Sequence, residues 1–205
     1  MKLIIIFLLL ASANAFGDAK LPAQLSFCIG SVSTNYSETA SKLVATDGTT
    51  GTTVTPYSGT ASSMPIDVEF EYFSNLKKSY FLKGGGPVMA STPDRYFYFA
   101  TGINFYFSPI GSPTYVSDER IEIKLAPKFR YYAGPNIGAS YLIYNTKSQI
   151  KNDMIVELGL QGGAIYSINS KWGVKAEGAF SRGIGALLSS MTMKILLGTT
   201  YNLNF

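Results

Sequence analysis

The last sixteen residues of the chain alternate between two kinds of side chain. Every second position, counted back from the carboxyl terminus, is apolar or weakly polar: Phe205, Leu203, Tyr201, Thr199, Leu197, Ile195, Met193 and Met191. The intervening positions are polar or small, apart from Leu196. A period of two predicts a β-strand with two different faces. The run is longer than the roughly 5–6 residues of an ordinary strand, and it suits a tilted strand that crosses a bilayer. A long strand of a soluble sandwich is the alternative.

The same period recurs along the chain and predicts eight strands, at 24–34, 64–74, 79–88, 95–108, 128–145, 153–168, 172–182 and 190–205. In the second strand, Asp67, Glu69 and Glu71 alternate with apolar residues. Three carboxylates on one face are costly against a dry core, so they indicate a polar interior with an apolar outer wall. Pro135 lacks a ladder donor and predicts a bulge or a locally broken pair within its strand.

The connections between these strands predict a topology. Residues 35–63 are dominated by Ser, Thr and Gly and read as a long surface loop, with a disordered linker as the alternative. The short turns at 75–78 and 169–171 are expected on one side of the barrel, and the connections at 89–94, 146–152 and 183–189 on the other side. Residues 109–127 are either a long connection on the side of the short turns or a strand extension. Counting 121–125 as a crossing would give nine strands, whereas a barrel with both termini on one side needs an even number.

The carboxyl-terminal pattern resembles that of bacterial outer-membrane β-barrels. Tyr201, Leu203 and a terminal Phe205 match the last strand of that class, which is read as an assembly signal. The resemblance is to small OmpA- and OmpW-like barrels, without the periplasmic domain of the OmpA type. It implies an all-β, eight-stranded, antiparallel up-and-down transmembrane barrel in the outer membrane of a Gram-negative bacterium. The implied partners are outer-membrane lipid and the barrel-assembly machinery, and the implied state is a monomer.

The first fifteen residues predict a secretory signal peptide. Lys2 precedes an apolar run from Leu3 to Leu10, and Ala13-Asn14-Ala15 has the small-x-small form of a cleavage site. Residues 16–205 are then expected to form the barrel. The apolar run is too short for a transmembrane helix, and the rest of the chain has no run near 18 residues, so strands are the expected means of crossing lipid. Cys28 is the only Cys, which excludes an internal disulfide.

The amino-acid composition excludes several kinds of binding site and enzyme activity. Aromatic residues make up 14% of the chain, which suits a lipid-facing wall with aromatic girdles. The net charge of +4 is modest and its bases are spread along the sequence, so no nucleic-acid interface is expected. The chain contains no His. Outer-membrane barrel enzymes use a His as base or orienting group, and common metal sites use it as a ligand. We therefore expect no enzyme activity, no cofactor and no metal site.

Ten charged residues fall on inward faces of the predicted strands and define a candidate lumen network. The acids are Asp67, Glu69, Glu71, Glu157 and Glu177, and the bases are Lys83, Lys128, Arg130, Lys175 and Lys194. The turn positions place Lys83 near Glu69 and Glu71, and Glu177 opposite Lys194. Paired charges would form a polar plug, which predicts a structural or surface-interaction barrel that presents loop 35–63. A narrow passive channel for small solutes or ions is the alternative.

Overall fold

A computed structural model describes residues 23–38, 57–75, 77–107, 128–146, 149–169 and 171–203. It contains eight strands: β1 Ala23–Glu38, β2 Ser58–Asn75, β3 Lys78–Ala90, β4 Arg95–Tyr106, β5 Phe129–Asn145, β6 Ile150–Ser167, β7 Trp172–Gly185 and β8 Leu188–Asn202. Within these ranges, no helix is long and apolar enough to cross a membrane. The predicted signal peptide, most of loop 35–63, segment 109–127 and Phe205 lie outside the described residues.

Each strand pairs antiparallel with its sequence neighbour, and β8 pairs with β1, so the sheet closes into an up-and-down barrel. The predicted fold class is confirmed. A path along paired residues around the wall runs from Gln24 through Glu71, Phe81, Gly102, Asn136, Gly159, Ser181 and Thr192 to Thr34. The path returns to β1 ten residues further on. This stagger tilts the strands and brings distant parts of the sequence to one level of the lumen.

The outer wall is a continuous apolar surface. All eight strands contribute exposed large apolar side chains, including Phe27, Ile66, Phe99, Leu158 and Ile195. Soluble monomers rarely expose contiguous apolar patches above a few hundred Å², so this wall requires lipid around it. The alternating apolar residues are exposed on β8 from Met191 to Leu197 and on β6 from Met154 to Leu160, which confirms the apolar outer wall that the alternation predicted.

The two ends of the barrel differ. We call the end with the 76–77 and 168–171 turns, Ala23 and Leu203 the terminal end, and the opposite end the loop end. Outward aromatic rings pack against each other at the terminal end: Trp172 lies 4.8 Å from Tyr201, and Phe129 lies 4.8 Å from Tyr166, between ring centroids. Such rings form the girdle that outer-membrane barrels place at a membrane–water interface.

The strands extend further at the loop end than the sequence predicted. β1 continues to Glu38 and β2 begins at Ser58, so the predicted loop 35–63 is strand at both ends. The predicted loop 183–189 is also wrong, because β7 and β8 leave only Ala186 and Leu187 between them. Polar and small residues there concealed the strands: their backbone groups are paired across the wall while their side chains carry little apolar signal.

The prediction of a locally broken pair at Pro135 is confirmed. The β5–β6 ladder runs through Pro135, which is paired with Leu160. On the other edge of β5, the pairing with β4 is interrupted. The last pair before the gap is Gly102 with Asn136, and the next pair is Phe105 with Ala133. The proline ring supplies no N–H to that ladder, and the interruption confines the defect to two positions.

Candidate functional site

Four charged side chains form a closed ring in the middle of the lumen. Lys83 Nζ lies 2.5 Å from Glu177 Oε1, and Lys175 Nζ lies 3.0 Å from Glu177 Oε2. Glu69 completes the ring, with Oε1 2.5 Å from Lys175 Nζ and Oε2 4.0 Å from Lys83 Nζ. All four side chains are buried. Alternating charges give each buried ion two opposite neighbours, which offsets the cost of removing it from water.

The ring is extended by amide side chains. Lys83 Nζ also donates to Gln161 Oε1 at 2.5 Å, and Gln161 Nε2 donates to Asn104 Oδ1 at 2.9 Å. Asn104 Nδ2 in turn donates to Glu71 Oε1 at 2.8 Å. These amides link the ring to Glu71 without a further charge. Gln161 shares the alternation phase of Glu157 on β6, so its inward position follows from the sequence, whereas the bridge that it forms with Asn104 does not.

Tyrosines from β4 and β5 satisfy most of the lumen carboxylates. The donor–acceptor distances are 2.8 Å for Tyr96 to Glu157, 2.6 Å for Tyr98 to Asp67, 2.9 Å for Tyr106 to Glu71 and 2.6 Å for Tyr132 to Glu177. Glu157 also accepts from Ser140 and Ser181, and Glu71 from Ser79. Asp67, Glu71 and Glu157 therefore have neutral donors in place of direct ion pairs. Lys83, for example, was expected beside both Glu69 and Glu71, yet Glu71 is held by neutral donors.

Lys194 is held by aromatic rings. Its Nζ lies 3.2 Å from the centroid of Tyr98 and 5.6 Å from that of Tyr96. The predicted pairing of Glu177 with Lys194 is wrong: Lys194 is registered with Ala179, and Glu177 with Leu196. The tight turn at Ala186 and Leu187 causes this difference, because it shifts β8 by two positions against the predicted hairpin.

The remaining predicted bases lie near the terminal end. Arg130 is buried and donates through Nη2 to Gln24 Oε1 at 2.9 Å. Lys128 is exposed just before β5 begins, so it is not a lumen residue. The structure places the other nine predicted charges inside the barrel and joins only Glu69, Lys83, Lys175 and Glu177 by direct ion pairs. Among the described residues, no cluster of His, Cys, Asp and Glu could hold a metal ion.

Apolar and aromatic side chains close the lumen above and below the charges. The loop-end plug consists of Val32, Tyr36, Ala61, Tyr96, Tyr98, Leu142, Tyr144, Ile155 and Leu188. The terminal-end plug consists of Phe73, Tyr106, Tyr132 and Ile165. The sequence did not predict these plugs, because an inward Leu or Ile departs from the rule of polar inward faces. Their signal was parity: on β2, β5, β6 and β8 they share the alternation phase of the inward charged residues. The tyrosines of β4 had no such signal, because the only charged residue of that strand, Arg95, is exposed.

A small cavity lies between the ring and the loop-end plug. Its volume is about 10 Å³, and its lining includes Lys83, Tyr98, Glu157, Ser181 and Lys194. This volume holds about one water molecule, and the lining offers it several polar partners. The lumen is therefore filled by side chains at this level, as expected for eight strands.

The loop end is tied together at the base of the long loop. Glu38 and Tyr57 form a backbone bond of 2.8 Å from the Glu38 N–H to the Tyr57 carbonyl. The Glu38 carboxylate also accepts from Lys151 Nζ at 2.8 Å, in a partly exposed ion pair. Tyr57 stacks on Tyr144, with centroids 6.2 Å apart, and donates its hydroxyl to the Asn145 carbonyl at 2.8 Å. Both ends of segment 39–56 are thus held at one point of the rim.

Comparison with known proteins identifies the fold. No family model matches the sequence, and no curated protein matches it. The structure of the outer-membrane protein AlkL in lipid bilayers is 12% identical with a TM-score of 0.51, and the match covers 92% of this chain and 93% of that one. The N-terminal β-barrel domain of OprF from Pseudomonas aeruginosa is 10% identical with a TM-score of 0.50, covering 85% and 98%.

At these identities the likeness concerns the fold, which is that of small outer-membrane β-barrels. The closed sheet and the apolar outer wall independently require lipid around the barrel. The chain is an integral outer-membrane β-barrel, as the sequence predicted.

Proposed function

We propose that the protein is a sealed, non-enzymatic barrel that anchors segment 39–56 at the membrane surface. The observation that carries this proposal is the filled lumen, in which the central ion ring lies between two apolar plugs. Ions would have to pass side chains such as Leu142, Tyr144 and Ile165, which are fully buried against their neighbours. These side chains support a lumen that is closed to ions.

The loop end supports the anchoring role. Three of its four connections are short, at 91–94, 146–149 and 186–187. Segment 39–56 is the remaining connection, and its base is clamped by Glu38 and Tyr57. The rigid wall thereby holds one Ser-, Thr- and Gly-rich segment where it can meet partners outside the membrane. Its sequence is too poor in apolar residues to fold around a core of its own.

Planar-bilayer recordings of the purified, refolded protein test the seal. We expect no steady conductance from the native barrel or from Arg182→Gln, which changes an exposed outward residue. The variant Leu142→Ala with Tyr144→Ala should also stay closed, because the ion ring and the terminal-end plug still fill the lumen. A wide porin recorded under the same conditions shows that the assay detects an open lumen. Steady native conductance that changes with Glu71→Gln or Lys194→Gln would instead support the passive channel.

A further inference from the structure

The barrel wall separates the two signs of charge. Every acidic side chain among the described residues is buried or turned toward the lumen: Glu38, Asp67, Glu69, Glu71, Asp94, Asp153, Glu157 and Glu177. Among the same described residues, the charged side chains on the outer surface of the barrel are all basic: Lys77, Lys78, Arg95, Lys128, Lys171 and Arg182. The outer surface of the described barrel therefore presents only positive charge to its surroundings.

Four of these bases mark one edge of the barrel. We call Lys77, Lys78, Lys128 and Lys171 the terminal rim, because all four lie at the terminal end. They come from three separate places on the wall: the β2–β3 turn, the residue before β5 and the β6–β7 turn. They are thus distributed around the circumference and do not form a single patch. An acidic protein docking on one side could reach only part of this set.

The backbone positions three of the rim lysines. Their carbonyl oxygens accept N–H groups of neighbouring strands, from Tyr106 to Lys77 at 2.8 Å, from Ser167 to Lys128 at 2.7 Å and from Asn202 to Lys171 at 2.8 Å. The ladder thereby extends one residue beyond the strand ends at each place. The Cα atoms are held at the rim, while the side chains of all three residues are exposed.

Each part of the rim has an outward aromatic residue beside the lysine. Lys171 precedes Trp172, which packs on Tyr201, and Lys128 precedes Phe129, which packs on Tyr166. Lys78 Nζ lies 4.9 Å from the centroid of the Tyr80 ring. Aromatic rings of this kind lie at the headgroup level of a bilayer, and a lysine beside them reaches the phosphate layer with its long side chain.

We propose that the terminal rim binds the phosphate groups of anionic glycerophospholipids in the leaflet that surrounds it. The inference rests on the membrane-spanning barrel of the proposed function. The chain termini of such barrels share the periplasmic side, which assigns the rim to the inner leaflet of the outer membrane. Positive charge distributed around a circumference matches a ring of separate lipid headgroups, each attracted by a nearby lysine.

Native mass spectrometry of the refolded full chain tests the rim. The barrel in neutral detergent is titrated with phosphatidylglycerol and, separately, with zwitterionic phosphatidylcholine of the same acyl chains. We expect phosphatidylglycerol to bind more tightly, and the combined variant Lys77→Gln, Lys128→Gln and Lys171→Gln to lose that preference. The expected weakening is roughly fivefold for each lysine removed, and added salt should reduce the preference of the native protein.

Two control variants separate charge and location from general damage. Lys77→Arg, Lys128→Arg and Lys171→Arg together keep the charge and should keep the preference. Lys151→Gln removes a base at the loop end and should also keep it. Equal binding of the two lipids by the native chain, or an unchanged preference in the combined Gln variant, would overturn the proposal. Bilayer conductance reports the lumen and lipid selectivity reports the rim, so each can fail without the other.

Discussion

Lys175 donates to Glu69 across the lumen, with Nζ and Oε1 2.5 Å apart. Lys175 lies on β7 and Glu69 on β2, and β8 and β1 separate these strands in the wall. The contact therefore joins two regions of the wall that have no backbone ladder between them. Because Lys175 also contacts Glu177 Oε2 at 3.0 Å, its ammonium group holds two buried carboxylates together.

Replacing Lys175 should destabilise the barrel strongly. Lys175→Met leaves Glu69 and Glu177 buried side by side with only Lys83 between them, and breaking a buried ion pair costs about 3–5 kcal/mol. Equilibrium unfolding in urea, followed by the heat-modifiable gel shift of the protein in neutral detergent without anionic lipid, measures this loss. Lys171→Gln is the matched control, because Lys171 is exposed and its replacement should change the free energy of unfolding by at most about 0.5 kcal/mol.

A second variant tests whether the effect comes from the ring. Glu69→Gln in the Lys175→Met background removes one of the two stranded carboxylates, so the double variant should be more stable than Lys175→Met alone. The coupling between the two positions should be in the range of about 0.5–3 kcal/mol for residues in direct contact. Additive losses, or a Lys175→Met loss no larger than that of Lys171→Gln, would contradict the ring as a stabilising unit.

Tyr98 contacts Asp67 through its hydroxyl group and Lys194 through the face of its ring. Tyr98→Phe removes only the hydroxyl that donates to Asp67 and should cost about 1.5–3 kcal/mol, the range for a hydrogen bond to a charged group. Tyr98→Leu also removes the ring beneath Lys194 and should cost about 2 kcal/mol more. The free energy of unfolding of both variants is measured in the native background and in the Lys194→Met background. The comparison separates the hydrogen bond to Asp67 from the contact of the ring with Lys194. If the difference between Phe and Leu persists without Lys194, the cation–π contact is not its cause.

Alternation along the strands predicted the wall but not the contacts inside it. Asp67, Glu69 and Glu71 face inward as their parity required, because a period of two is a local property of the backbone. Partners across the lumen depend on register summed over several hairpins. Even within the single hairpin of β7 and β8, the tight turn at Ala186 and Leu187 moved Lys194 away from Glu177. A one-hairpin estimate succeeded for Lys83 and Glu69, which are directly paired on β2 and β3.

The alternation of polar and apolar residues could not predict the two plugs. Leu142 and Ile155 share the inward parity of Ser140 and Glu157, yet a rule that assigns apolar residues to lipid cannot place them there. Their inward position depends on the small bore of an eight-stranded barrel, which side chains fill completely. Exact strand ends were also unpredictable at 35–38 and 58–63, since polar side chains there hide a paired backbone.

Deleting Phe205 should impair assembly more than stability. Phe205 lies outside the described residues, and its role as a signal to the barrel-assembly machinery is a proposal from the resemblance of the last strand. Cells expressing the deletion should show less protein in the outer-membrane fraction, whereas the deletion protein refolded in detergent should unfold at the native urea concentration. Leu203→Ala is a useful comparison, because it alters the same motif and keeps the aromatic end. Equal membrane insertion by the native and deleted chains would refute the proposed signal.

Two glycines on the same barrel should respond differently to replacement by alanine. A Cβ added at Gly134 would lie 1.7 Å from the carbonyl oxygen of Ile103, where β4 closely approaches β5 beside Pro135. A Cβ added at Gly178 would meet nothing nearer than the Lys194 carbonyl oxygen, at 4.0 Å. Gly134→Ala must therefore push the strands apart and should cost about 1–3 kcal/mol or prevent folding. Gly178→Ala should stay within about 0.5 kcal/mol of the native chain. Urea unfolding and folded yield compare the pair directly, and similar behaviour of the two variants would contradict the close approach of β4 to β5.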